Sequence, residues 1–221
     1  FHQKVKYWIT FNEHNLYTMD MGFKIAGSKK EHTLENIYNI QHYTLLGHAE
    51  IANYIHDNYK DLQIGGMLAH SPYYPASSRP EDVLIANQYD RFLSKLYLDV
   101  FSGRNYPKFF INYLEKNKIK IDYTEEDSLV FDKLKSDFIS FSYYQSTTVK
   151  ANCKDFNTLK MDQVIDNEFV DRSEWNWEID PVGLRISMEN IFADSNLPVF
   201  IIENGLGLRE ELPENEFIAV S

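Results

Sequence analysis

Four short runs of strand character alternate along this chain with longer stretches of helical period. Val5–Phe11 is rich in β-branched and aromatic residues and stops at a polar cluster, Asn12-Glu13-His14-Asn15. From about Thr33 to Tyr59, Leu34, Ile37, Tyr38, Leu45, Ala49, Ala52 and Ile55 recur at helical spacing, with Thr33 placed to cap the start. Leu62–Leu68 is a second strand, weakened by the pair Gly65-Gly66, and it runs into the loop His70–Pro75. Pro80–Phe101 reads as a helix whose first turn holds Pro80, Glu81 and Asp82. Pro107–Asn117 and Glu125–Lys135 are shorter helices, and Asp137–Ser142 has the pattern of a buried strand. The polar stretch Cys153–Glu174 reads as a long, irregular functional loop. Asp180-Pro181 opens a helix to about Ile191, and Pro198–Ile202 is a last strand ending at Glu203-Asn204-Gly205. Strands that alternate with helices in this way are parallel and joined by right-handed crossovers. The order alone does not separate a closed barrel from an open doubly wound sheet.

Charge narrows the function classes. The 221 residues include 33 acidic and 22 basic side chains, a net charge of -11, which repels phosphate backbones and anionic lipid surfaces. Nucleic acid and membranes are therefore not expected partners, and no apolar run reaches spanning length. The lone Cys153 allows no internal disulfide and fits a reducing cytoplasm. No repeat or linker divides residues 1–221, so a single domain is expected. The start at Phe1, directly ahead of a strand, reads as a cut.

Two of the strands end in a carboxylate, Glu13 after Phe11-Asn12 and Glu203 after Ile201-Ile202. In a barrel of parallel strands, groups at the strands' C-terminal ends converge on one face. Hydrolysis of a glycosidic bond needs such a pair: one carboxyl protonates the leaving oxygen while the other, ionised, attacks the anomeric carbon. Taken alone, an acid just after a strand is more often a helix cap or a solvated loop residue.

The surrounding residues add to this. Ile9-Thr10-Phe11-Asn12-Glu13 and Ile201-Ile202-Glu203-Asn204-Gly205 closely resemble the two signature segments of glycoside hydrolase family 1, the β-glucosidase family. Asp137–Tyr144 resembles that family's sixth strand, and Trp175–Arg185 the segment before its seventh. The resemblance implies an α/β fold, a (β/α)8 TIM barrel, present here as an incomplete barrel of about four βα units holding the fourth to seventh strands. It implies that Glu13 is the acid/base, that Glu203 is the nucleophile, and that Asn12 holds the sugar 2-hydroxyl. Tyr144 matches a tyrosine that hydrogen-bonds the nucleophile, and Trp177 an aromatic platform on the aglycone side. For these two, core packing is the competing reading.

Where many members of the family carry Asn, this chain has Ser142. Ser142-Tyr143-Tyr144, the downstream Trp175-Asn176-Trp177-Glu178-Ile179-Asp180-Pro181 and Ser78–Asp82 resemble the bacterial 6-phospho-β-glucosidases. The implied substrate is a small phosphorylated β-glucoside, such as cellobiose 6-phosphate or an aryl 6-phospho-β-glucoside, cleaved by a retaining double displacement. The family's phosphate-binding loop follows an eighth strand that these residues do not include. Two alternatives stand beside this reading: a β-glucosidase acting on unphosphorylated sugars, and an inactive piece serving at most in binding or structure. By itself the chain is expected to be inactive and to associate through open sheet edges. No metal and no organic cofactor are implied. Of the seven histidines, His14 is expected to border the site, whereas His48 and His56 read as ordinary helix residues.

Overall fold

The structure, a computed structural model, describes residues 1–19, 26–152 and 161–209. Cys153 and the chain from Glu210 onward lie outside the described residues. Strands β1 (Tyr7–Ile9), β2 (Gln63–Ala69), β3 (Phe138–Tyr143) and β4 (Val199–Asn204) form one sheet in that order. Every neighbouring pair is parallel. Between them lie α1 (Leu34–Asn58), α2 (Pro80–Asp90), α3 (Leu96–Phe101), α4 (Lys108–Asn117), α5 (Glu125–Lys133) and α6 (Pro181–Ser195).

The helices start and stop where local chemistry directs. The Thr33 hydroxyl accepts the Asn36 N–H at 3.2 Å, capping α1. A capping box of Thr124 and Asp127 opens α5. Asp180 accepts the Gly183 N–H at 2.8 Å ahead of Pro181, and Asn196 closes α6 in the left-handed region at φ 55. That cap carries α6 one turn past the expected end near Ile191. The expected helix Pro80–Phe101 is continuous, but its middle, Arg91–Lys95, widens into a π turn.

Alternation along the strands separates two layers. Ile64, Leu68, Ile139 and Phe141 face outward and pack with Leu45, Ala49, Phe101 and Phe131 from the helices. Inward, the rings of Tyr7, Phe138 and Phe200 meet edge to face, with centroids 6.0–6.4 Å apart. Tyr7 and Phe200 are half exposed. The outer edges of β1 and β4 have no strand partner among the described residues.

The glycine pair in β2 is accounted for by what presses on it from each side. A Cβ on Gly65 would stand 2.5 Å from the Phe138 ring, and one on Gly66 2.4 Å from the Phe101 ring. Gly66→Ala is expected to cost about 1–3 kcal/mol through overpacking, read as a lower denaturant midpoint. An unchanged midpoint would mean that Phe101 can move aside freely.

Two expectations need correction. The first strand pairs over Tyr7–Ile9 alone, not Val5–Phe11, because the Thr10 side chain turns to His48 and the chain then bends at Glu13. The loop expected over Cys153–Glu174 is partly regular. Val164–Ile165 pairs with Thr147–Val149, which also pairs with Tyr73–Pro75, and Asp171–Arg172 forms a hairpin with Glu178–Ile179. The buried Glu178 carboxylate gathers these pieces, accepting from Ser146 Oγ at 2.7 Å, the Asn167 N–H at 3.2 Å and Arg172 at 3.3 Å.

Candidate active site

Glu13 leaves the end of β1 in an unusual conformation. Its backbone lies in the left-handed region (φ 44, ψ 59), at the head of the 3-10 turn His14–Thr18. Only a surrounding structure that over-determines the backbone holds a non-glycine residue there. Asn15 supplies part of that hold. Its amide nitrogen donates to the Ala69 carbonyl at 2.6 Å and the Leu93 carbonyl at 2.8 Å, and its oxygen accepts the Ala69 N–H at 2.9 Å. One buried side chain thus fastens the Glu13 segment to the end of β2 and to the π turn. The Glu13 side chain reaches β3, where the Ser142 hydroxyl donates to its Oε1.

Glu203 reaches the same strand from the other edge. Phe141 aligns with Ile201 but Ser142 with Glu203, so β4 carries one extra residue, Ile202, at this point. Val199 and Ile201 face the helix layer, whereas Phe200 joins the inner aromatic group. Unbroken alternation through Ile202 would put Glu203 on the outward face of Ile201, and the irregularity sets it opposite the inward Ser142 instead. There Glu203 Oε2 accepts a hydrogen bond from Tyr144 Oη at 2.9 Å. Burial first, then this bond and the nearby charges of Glu203 and Glu13, raise the Tyr144 pKa, which keeps the phenol a neutral donor.

Trp177 stands on the hairpin, tilted against the Tyr144 ring at 5.3 Å and edge-on to Trp175 at 5.2 Å. A cavity of about 580 Å³ opens beside Glu13, Tyr144 and Trp177, and Glu203 is not among the described residues of its walls. Glu13, Ser142 and Tyr144 line one part of it, and Leu16, Met161 and Trp177 another; none of the described residues in its walls is Lys or Arg. Another cavity, of about 750 Å³, lies at the opposite end against residues 2–6 and 58–63, away from both acids.

Of the residues singled out in the sequence, the fold thus brings Glu13, Glu203, Tyr144 and Trp177 to one end of the sheet. Asn12 is exposed and does not line the cavity. His14 does not border it either: its ring is fully buried against Phe11, Phe101 and His48, and burial lowers its pKa to about 4. His48 is likewise more than an ordinary helix residue, being fully buried with its Nδ1 2.9 Å from Thr10 Oγ1. His56 pairs with Asp137 at 2.9 Å. Two wall residues escaped sequence reasoning. Asn15 looked like part of a polar strand end, and His70 like a loop residue. His70 is buried with Nδ1 3.0 Å from Ser187 Oγ, and burial lowers its pKa to about 4. Among the described residues no group of three or more His, Cys, Asp or Glu is placed to hold a metal ion, and no helix is long and apolar enough to cross a membrane.

Two carboxylates from opposite edges of a parallel sheet, each held by a hydroxyl and one of them in a cavity wall, can act as a proton donor and a nucleophile. Comparisons with known proteins bear on that chemistry. The model of the family described as "Glycosyl hydrolase family 1" matches residues 1–219. Aryl-phospho-beta-D-glucosidase BglA of Bacillus subtilis is 32% identical over 96% of this chain and 47% of its own length. A 6-phospho-beta-glucosidase of Clostridium longisporum is 33% identical over 96% of this chain and 46% of its own. Among solved structures, the family 1 β-glucosidase of Thermotoga maritima superposes with a TM-score of 0.77 at 23% identity, covering 97% of this chain and 47% of that one. The chain spans about half the length of the curated relatives it matches. Its four-stranded parallel sheet is the corresponding part of a TIM barrel.

Proposed function

The chain belongs to glycosyl hydrolase family 1, and from that premise we propose that it carries the catalytic pair of a retaining 6-phospho-β-glucosidase. The observation that carries the chemistry is the line Glu13–Ser142 beside Tyr144–Glu203, which spans the sheet from one edge strand to the other. The phosphorylated substrate is supported by relatives named for phospho-β-glucosides.

In this reading the Glu13 carboxyl gives its proton to the glycosidic oxygen as the Glu203 carboxylate attacks the anomeric carbon. The carbon–oxygen bond breaks, the aglycone leaves as an alcohol, and a glycosyl ester forms on Glu203. Glu13, now a carboxylate, takes a proton from a water molecule whose oxygen attacks the same carbon. The ester breaks, Glu203 returns to its anion, and the sugar departs with its configuration retained. Tyr144 orients Glu203, Trp177 meets the aglycone, and Asn12 is assigned the sugar 2-hydroxyl on its motif.

None of the described residues in the cavity walls is Lys or Arg, and the cationic group for the phosphate is assigned to the loop that follows the family's eighth strand. Because each acid comes from an edge strand, the four-stranded unit is inactive until the barrel is closed around it. A phosphorylated substrate, made inside cells, is the support for reading the activity as cytoplasmic. The reading needs no cofactor.

Hydrolysis of an aryl 6-phospho-β-glucoside and of the same aryl β-glucoside without phosphate tests it. In the catalytically competent protein kcat/KM is expected to favour the phosphorylated compound by about 100-fold or more, because a site built for a charged group leaves its partners unpaired with the neutral sugar. The reverse ratio would make this a β-glucosidase of unphosphorylated sugars.

A further inference from the structure

Building on the acid/base reading of Glu13, we propose that Ser142 is a two-way hydrogen-bond partner that holds the Glu13 carboxyl in place both when it is charged and when it is neutral. Ser142 lies on the inner face of β3 and is 1% exposed. Its hydroxyl donates to Glu13 Oε1, the one side-chain hydrogen bond to that carboxylate among the described residues. The same oxygen stands 3.5 Å from the Leu68 carbonyl, on the neighbouring strand.

A hydroxyl has one proton and two lone pairs on a single atom, and its proton rotates to suit its neighbours. When Glu13 is a carboxylate, the Ser142 proton points at it. When Glu13 carries a proton, its own O–H donates to Ser142 Oγ, and the serine proton turns toward the Leu68 carbonyl. Neither heavy atom has to move. An asparagine in its place would keep donor and acceptor on different atoms and would have to turn over between the two states.

This matters because Glu13 stands in a left-handed turn. Asn15 ties down that backbone, and among the described residues Ser142 alone ties down the functional group. In a double displacement Glu13 alternates between acid and base within one turnover. Ser142 is therefore a positioning residue, acting through Glu13 in both half-reactions.

A direct test uses the catalytically competent protein labelled with 13C at the glutamate carboxyl carbons, where the signal lost in Glu13→Gln identifies Glu13. Ser142→Ala is expected to shift that signal at fixed pH, and Ser142→Thr, which keeps a hydroxyl, to bring it back toward its original position. A Glu13 signal unmoved by Ser142→Ala would overturn the proposal. In the catalytically competent protein, Ser142→Ala is expected to slow two steps by about tenfold each, with KM little changed. These are glycosylation by substrates with poor leaving groups and release of the sugar from the enzyme. A loss confined to one of these steps would refute the two-way role. Should Glu13 not be the acid/base, the rate losses would not depend on the leaving group, while the carboxyl signal would still shift.

Discussion

Replacing Glu203 by glutamine is expected to lower kcat of the catalytically competent enzyme by at least about 10⁴-fold on every β-glucoside. The amide has nearly the carboxylate's shape, and its oxygen can still accept from Tyr144 Oη, so the loss measures chemistry and not folding. Glutamine has no anionic oxygen to form the ester. Glu13→Gln should behave differently. An aryl glycoside with an activated phenol as leaving group needs little protonation, so its first step should survive while poor leaving groups fail. Release of the sugar then becomes slow, because no base activates water, and a burst of phenol should precede a slow steady state. Pre-steady-state kinetics with activated and unactivated substrates checks this. If the two variants behaved alike on the activated substrate, the division of labour would be wrong.

The second large effect concerns stability in mild acid. Unfolded histidine takes up a proton near pH 6.5. In the fold, burial lowers His14 and His70 to about 4 and His48 to about 3, the last helped by the neighbouring His14. Burial lowers His42 in the same direction. Between pH 6.5 and 4 the unfolded chain therefore binds more protons than the native one, and stability that is full above pH 6.5 falls as pH falls. A shift of two to three units is on the order of 3 kcal/mol for one histidine. His14 and His48 stand 5.9 Å apart, so their contributions overlap instead of adding. Chemical denaturation at pH 7 and pH 4.5 should differ by several kcal/mol, and His70→Gln should flatten the slope. Asp82 does not compete in this window. Bonds from the Ser77 hydroxyl and the Ala151 N–H lower its pKa, so its contribution is lost only in stronger acid. A stability flat between pH 6.5 and 4.5 would contradict the buried histidines.

The fold was largely legible because its signals are local. The spacing of Leu45, Ala49 and Ala52, the cap at Thr33 and the run Phe138–Phe141 each state their own structure. What escaped depends on contacts far apart in sequence. Asn15 bonds Leu93 across 78 positions, and Ser142 bonds Glu13 across 129. The short strand pairs between Thr147 and Ile179 have too few residues for a period, and the buried Glu178 fixes them only once the chain is folded. The acids themselves were found by motif and not by pattern. Their role as an inward-facing pair depends on strand order and register, which a composition of Ile, Phe and Glu leaves unstated. His14 went the other way: adjacent in sequence to an acid of the site, it turns with the helical twist into the core.

The extra residue at Ile202 makes the placement of Glu203 a matter of register. Substitutions at Val199, Ile201 or Ile202 that keep apolar bulk would change how well β4 packs, yet leave the carboxylate on the inner face. Removing Ile202 would bring Glu203 directly after Ile201, and plain alternation would still turn it inward opposite Ser142. The face of the carboxylate is therefore set by its register against β3, and this strand can change its letters, and even give up that one residue, without losing it.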